Sequence, residues 1–374
     1  MKKIIILLCF GLCFCFPLKA GALSTSAKAS ILINGATGEV IYESNADEKL
    51  PMASTTKIMT ALLLCENNNF EREITVTEQM VRVEGSSMGL LAGDKVTLRD
   101  LLYGLMLASG NDAANVTAYV LGGSVNGFVS QMNQKAEELN LKDTHFATPS
   151  GLDAEGHYTT ARDLANLARF AMQNEDFRKA VSCKTAVLNY GNPPYRRSLF
   201  NHNKLLGNYE NAIGIKTGYT KKSGRCLVSA AEKSGNYVIA VTLNDPNDWA
   251  DHKAMLEYGL NAIKTTEISP EIKNYKIPVI SGSEQELSVK LDSFTVSALD
   301  TSDINYTVKL PQFVYAPIKK GEKIGDITYK KGDTVITTTE ILSDKDITLC
   351  KAKESVFKKI KENYKHIFVN IWEN

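Results

Sequence analysis

The chain has 374 residues, 44% of them hydrophobic and 23% charged, with a formal net charge of +1. That is enough chain for two domains, each with its own core. The balanced charge excludes the broad basic surface of a nucleic-acid-binding protein, and the composition excludes a disordered or repeat array.

Residues 1–22 read as an address rather than as fold. Lys2 and Lys3 precede an apolar run over residues 4–18, and Ala20-Gly21-Ala22 offers a small-x-small cleavage site. This is the pattern of a secretory signal peptide, and the run is short for a spanning helix. Two β-rich runs follow, at 29–33 and 39–43. Asn34-Gly35-Ala36-Thr37-Gly38 joins them as a hairpin turn. Residues 54–66 predict a helix that is apolar nearly all round after Lys57, hence buried on most faces. A second helix over 97–108 breaks at Ser109-Gly110 and resumes near Asp112. A third covers 160–172, with Thr160 and Asp163 at capping-box spacing. Strand signals return at 213–217, 226–231 and 237–243, with Lys233-Ser234-Gly235-Asn236 as the last turn. A helix over 248–263 closes this half. Strands at both ends with helices between predict one sheet sandwiched by helices, spanning residues 23–265.

Composition changes near residue 268. Residues 265–270 read as a linker, and 270–352, rich in Val, Ile, Thr and Tyr between short turns, as a small all-β domain. Residues 353–374 differ again. Val356, Phe357, Ile360, Tyr364, Ile367, Phe368 and Ile371 fall at helical spacing, with Lys358, Lys359, Lys361 and Lys365 mostly off that face. This predicts a basic amphipathic helix suited to a membrane surface. Beyond the signal segment the cysteines are Cys65, Cys183, Cys226 and Cys350, widely spaced, and a disulfide among them is left open. The five histidines form no i,i+4 pair. Neither set has metal-ligand spacing, so a metal-dependent peptidase is not indicated and no cofactor is expected.

Three short motifs carry chemistry: Ser54-Thr55-Thr56-Lys57, Ser109-Gly110-Asn111 and Lys216-Thr217-Gly218. Each alone is weak, but the trio in this order is specific. Ser54 and Lys57 are one helical turn apart and share a face. Ser54 becomes a nucleophile if Lys57 takes its proton, which requires a neutral lysine. That is a drop of about 3 pKa units, or roughly 4 kcal/mol. Burial and a second cation, Lys216, both act in that direction. Ser109 and Asn111 sit at a helix break: Ser109 is suited to relay a proton to the leaving amine, and Asn111 to hold a substrate amide. Lys216-Thr217-Gly218 reads as a strand whose glycine admits a close backbone. The N–H groups of Ser54 and Tyr219 are candidates for an oxyanion hole.

At these residues the chain resembles the low-molecular-mass penicillin-binding proteins of the serine D-Ala-D-Ala carboxypeptidase family. Pro51-Met52-Ala53-Ser54-Thr55-Thr56-Lys57-Ile58-Met59-Thr60-Ala61 is similar to its nucleophile segment. Ser150-Gly151-Leu152-Asp153, Asn201-His202-Asn203-Lys204-Leu205-Leu206 and Ile215-Lys216-Thr217-Gly218-Tyr219-Thr220 also resemble family segments. The resemblance implies an α/β (α+β) catalytic domain of the β-lactamase and transpeptidase type, an antiparallel sheet with a helical lobe, then an all-β domain and an amphipathic helix. It implies Ser54 as acyl-ester nucleophile, Lys57 as proton acceptor and Ser109 completing the centre. Lys216 would bind substrate, with Thr217 near its terminal carboxylate. The partners implied are a peptidoglycan stem peptide ending in D-Ala-D-Ala and β-lactams as covalent inhibitors. The enzyme would act at the outer face of the cytoplasmic membrane.

The sequence departs from the family pattern in places. Tyr219 stands where many relatives have His, and Ile213-Gly214 replaces a common Asp-Gly. Asp248 falls where some relatives place an arginine that helps bind the substrate carboxylate, and His202 where some have Arg. The stretch Asn244-Asp245-Pro246-Asn247-Asp248-Trp249 is similar to carboxypeptidases of endospore formers. A class A β-lactamase and a non-enzymatic wall-binding protein are the competing readings. Gly110 in place of Asp and the added β domain speak against the first, and the complete motif set speaks against the second.

Overall fold

The computed structural model describes residues 23–271 and 274–350. The signal-peptide and terminal-helix expectations, at 1–22 and 353–374, lie outside them. Two compact units are present. One takes the chain up to Ile33 together with Tyr42–Lys233 and Tyr237–Gly259. The other takes Asn34–Ile41, Ser234–Asn236 and the chain from Leu260.

The first unit is an α/β domain. Its five-stranded sheet has the order Val40–Ser44, Ala29–Asn34, Asn236–Leu243, Gly224–Lys233, Ala212–Thr220. Ala29–Asn34 is buried throughout and Asn236–Leu243 nearly so, which is why both are mostly apolar rather than alternating. Ala212–Thr220 forms one edge. It pairs antiparallel with Gly224–Lys233, placing Lys216 opposite Val228 and Tyr219 opposite Arg225. The expected hairpin turn is closed by Asn34, whose Oδ1 accepts from the N–H groups of Ala36 and Thr37 at 2.9 and 3.2 Å.

The expected first helix is two elements, a 3₁₀ turn Ala53–Thr56 running into an α-helix Lys57–Glu66. Ile58, Met59, Ala61, Leu62, Leu64 and Cys65 of that helix all join the main core. The second helix runs Leu98–Met106 and the resumed one Asn111–Gly122, with Ser109 between them at φ +56°. The third is Ala161–Ala171. Thr160 caps it as expected, its hydroxyl accepting from Asp163 N–H, but the Asp163 carboxylate accepts instead from Asp143 N–H and the Thr144 hydroxyl. A complete capping box occurs at Thr97 and Asp100. The helix Val125–Glu138 and the hairpin Thr185–Gly191/Pro194–Phe200 were outside the sequence expectations.

In the second unit the expected linker is structured. Lys264–Ile268 is a strand pairing antiparallel with Phe294–Ala298, Thr265 opposite Ser297 and Thr266 opposite Val296. Adjacent β-branched residues favour a pleated strand over a free linker. Beyond it, Asn274–Ile280 pairs with Glu286–Lys290, and Ile304–Lys309, Lys323–Lys331 and Thr334–Leu342 make a three-stranded sheet. Strict alternation, as in Glu286–Lys290, sends Leu287 and Val289 into a core with Ile277, Ile327, Tyr329 and Ile347. Cys65, Cys183 and Cys226 are free thiols.

Candidate active site

The 3₁₀ turn decides the geometry of the first motif. Residues three apart eclipse in such a turn, and Lys57 Nζ lies 3.1 Å from Ser54 Oγ. Lys57 is fully buried among core side chains. Its Nζ also donates to Asn111 Oδ1 at 2.7 Å and to the Ser150 carbonyl at 2.6 Å. A neutral amine has two N–H groups and one lone pair. The two carbonyl oxygens take the N–H groups, so the lone pair faces the Ser54 hydroxyl. Burial holds the Lys57 amine well below the usual lysine range. The Lys216 charge adds to that shift, and Asp112 opposes it.

Ser54 is approached closely from both sides by glycine backbone. At Gly218, a Cβ would stand 3.1 Å from Met52 O, Ser54 N and Thr55 N. The edge strand therefore runs directly past the Ser54 peptide groups, as a glycine in a strand allows. At Gly151, with φ +88°, a Cβ would stand 1.9 Å from Ala53 O. Ala53 itself has φ +47°, a costly conformation for a residue with a side chain.

Asn111 has a structural part besides its expected one. Its amide is buried, Oδ1 engaged by Lys57 and Nδ2 donating to the Glu84 carbonyl at 2.6 Å. Each end makes one hydrogen bond inside the protein, so Asn111 orients the lysine, while its second Nδ2 N–H is taken by neither bond. Its neighbour Asp112, also buried, accepts from Ser87 Oγ and from the N–H groups of Met88, Gly89 and Leu90 at 2.6–3.1 Å. With Asn111 N–H donating to the Ser86 carbonyl at 2.7 Å, this pins the segment that brings Ser86 to the site.

A cleft of about 330 Å³ opens over these groups. Ser54, Ser109, Thr217, Gly218 and Tyr219 line it as the motifs predict. Ser109 makes no side-chain hydrogen bond among the described residues. Lys216 is buried beneath, its Nζ donating to the Thr217 carbonyl at 3.0 Å, and burial draws its pKa down to about 7. Tyr219 is exposed. Sequence reasoning missed four contributors: Ser86, Lys204, Arg225 and Trp249. Lys204 lies in a family-like segment that assigns it no role, and Trp249 in the endospore-like stretch. Arg225 belongs to no motif; its register opposite Tyr219 is the signal that places it.

Comparison with known proteins fits this constellation. A family model described as D-alanyl-D-alanine carboxypeptidase matches residues 18–247, and one for the C-terminal domain of penicillin-binding protein 5 matches residues 267–349. The D-alanyl-D-alanine carboxypeptidase DacF of Bacillus subtilis is 31% identical over 342 residues, 88% of each chain. The D-alanyl-D-alanine carboxypeptidase DacC of Escherichia coli is 33% identical over 329 residues, covering 82% of this chain and 80% of its own. Among solved structures, the D-alanyl-D-alanine carboxypeptidase DacD from Francisella tularensis aligns with a TM-score of 0.64 at 25% identity, over 94% of this chain and 97% of its own. The Streptomyces K15 DD-transpeptidase aligns with a TM-score of 0.61 at 35% identity over 64% of this chain and 98% of its own. By the match of its catalytic half, and by relatives that run along both domains, this chain belongs to the D-alanyl-D-alanine carboxypeptidase family.

Proposed function

We propose that the protein is a serine-type hydrolase that removes the terminal D-alanine from peptidoglycan stem peptides ending in D-Ala-D-Ala, and that β-lactams acylate the same serine. The observation that carries this reading is the Ser54–Lys57 pair, 3.1 Å apart, with the lysine buried and drawn toward its neutral form. The neutral Lys57 amine takes the Ser54 proton as Oγ attacks the carbonyl of the D-Ala–D-Ala bond. The N–H groups of Ser54 and Tyr219 receive the developing oxyanion. Lys57 returns the proton through Ser109 to the leaving D-alanine nitrogen. Water then attacks the acyl ester by the same route in reverse, freeing Ser54 and the shortened peptide. Thr217 lines the cleft beside the substrate's last residue, with Lys216 buried beneath it.

Ser54→Ala abolishes both D-alanine release from diacetyl-Lys-D-Ala-D-Ala and covalent labelling by a fluorescent penicillin. Labelling of Ser54→Ala at unchanged stoichiometry would refute the assignment.

The proposed site of action is outside the cytoplasmic membrane. Residues 1–22 direct export, and the basic amphipathic pattern at 353–374 attaches the protein to the outer face of the membrane. Apolar burial of about 1.5 kcal/mol or more per large side chain and roughly 1 kcal/mol per lysine near anionic lipid suffice for peripheral binding. Equal liposome flotation of the mature chain with and without residues 354–374 would defeat this attachment. The stretch Asn244-Asp245-Pro246-Asn247-Asp248-Trp249, similar to carboxypeptidases of endospore formers, supports a role in sporulation.

A further inference from the structure

A peptide that a carboxypeptidase shortens ends in a free carboxylate, so the cleft needs a cation to receive it. The position expected to supply one, Asp248, carries an acid. Four other basic side chains lie at or under the cleft, and three are poorly suited. Lys216 is buried with its ammonium turned to the Thr217 carbonyl, and burial brings its pKa to about 7. His202 is pushed toward its neutral form by desolvation and then by Lys216. Lys204 Nζ stands off the Trp249 ring, 6.0 Å from its centroid.

Arg225 differs from these. It projects from the strand next to Lys216's, directly opposite Tyr219 in register, and a guanidinium keeps its charge at any working pH. Its Nη2 reaches both oxygens of Asp248, at 2.7 and 2.9 Å, and its Cζ lies 5.6 Å from the centre of the Trp249 ring. The two partners are unequally covered: the Arg225 side chain is 42% exposed, that of Asp248 only 5%. The cationic end of the pair therefore faces the cleft and the anionic end is sheltered. Nη1 has no hydrogen-bond partner among the described residues.

Resting on the carboxypeptidase reading, we propose that Arg225 is the residue that receives the terminal carboxylate of the substrate, with Asp248 and Trp249 positioning its guanidinium. The acid at position 248 then holds a cation supplied from the adjacent strand. A planar fork fixed at one nitrogen offers the other for a charge-assisted hydrogen bond to a carboxylate.

The test compares diacetyl-Lys-D-Ala-D-Ala with its C-terminal amide, which lacks the carboxylate, and measures kcat/KM for each. The wild-type protein prefers the acid. In Arg225→Gln, kcat/KM for the acid falls about 10- to 100-fold, mainly through KM, while amide turnover stays within about twofold of the wild type. Retained amide turnover also shows that the fold and the Ser54–Lys57 pair are intact. Should Arg225→Gln not fold, Arg225→Met keeps the aliphatic stem over Trp249 and answers the same question. An acid-over-amide preference that survives removal of the guanidinium overturns the assignment, as does its loss in Lys204→Gln with Arg225 present. A wild-type protein that cleaves neither compound fails at the carboxypeptidase reading itself, a result distinct from a preference that merely survives the substitution.

Discussion

His157 stands behind the nucleophile turn with its Nε2 2.8 Å from the Thr56 hydroxyl. Its Nδ1 accepts from the Ala147 N–H at 2.9 Å, so the neutral ring carries its proton on Nε2 and donates it to Thr56. The Thr56 hydroxyl in turn donates to the Ala53 carbonyl at 2.8 Å. A directed chain of hydrogen bonds thus ends on the residue before Ser54, whose left-handed backbone needs such support.

The chain works only with an unprotonated ring, since a second proton on Nδ1 would face the Ala147 N–H. Burial, with a smaller push from His145, lowers the His157 pKa from 6.5 to about 4. Above pH 6.5 the ring is neutral both folded and unfolded, and its contribution to stability is complete. Between 6.5 and about 4 only the unfolded chain takes the proton, so stability falls as pH falls, by on the order of 3 kcal/mol across the window. His252, buried between Ser229 and Thr242 with its pKa pushed by burial to about 3, acts with the same sign. Urea unfolding at pH 7 and pH 4.5 measures this. Relative to the wild type, His157→Gln removes close to one proton from the pH slope of unfolding; an unchanged slope would exclude the arrangement.

Gly151 is the most constrained glycine at the site. Besides its φ of +88°, an added Cβ would meet Ala53 O at 1.9 Å and Ser54 N at 2.9 Å. Those are backbone atoms of the nucleophile turn, which cannot yield without moving Ser54. Gly151→Ala is expected to destabilise the fold by about 3 kcal/mol or more and to slow penicillin acylation roughly 100-fold. Stopped-flow labelling beside a thermal melt separates the two effects. Wild-type acylation by Gly151→Ala would show that the close approach does not hold the serine.

In the proposed mechanism the two lysines set opposing limbs of the pH profile, since acylation there needs Lys57 neutral and Lys216 charged. The rising limb, from loss of the Lys57 proton, falls well below the ordinary lysine range because burial and Lys216 both lower that pKa. The descending limb follows Lys216 near pH 7, and because the groups interact both limbs belong to the pair. Lys216→Arg keeps the charge at every accessible pH. It is therefore expected to abolish the descending limb of kcat/KM for penicillin acylation while retaining the rising one. A descending limb that persists in Lys216→Arg assigns it to another group.

The sequence by itself determined the local elements and marked the candidate reacting groups. The apolar run after Lys57, the break at Ser109-Gly110 and the three strands from Ala212 to Leu243 are legible because hydrophobic periodicity and turn residues act over a few positions. Ser54 with Lys57 is legible for the same reason, being a pair inside one turn. What only the tertiary structure decided lies between distant segments. It turned the amide of Asn111 onto Lys57, set the carbonyl of Ser150 beside the same nitrogen, and placed His157 behind Thr56. It converted the expected linker at 265–270 into a strand by supplying Phe294–Ala298 as partner. It also put Arg225 in the cleft, opposite Tyr219 and bound to Asp248. Nothing local marks the contacts these residues make. Their roles come from register, burial and unsatisfied polar groups finding partners across the fold, which are properties of packing rather than of any window of sequence.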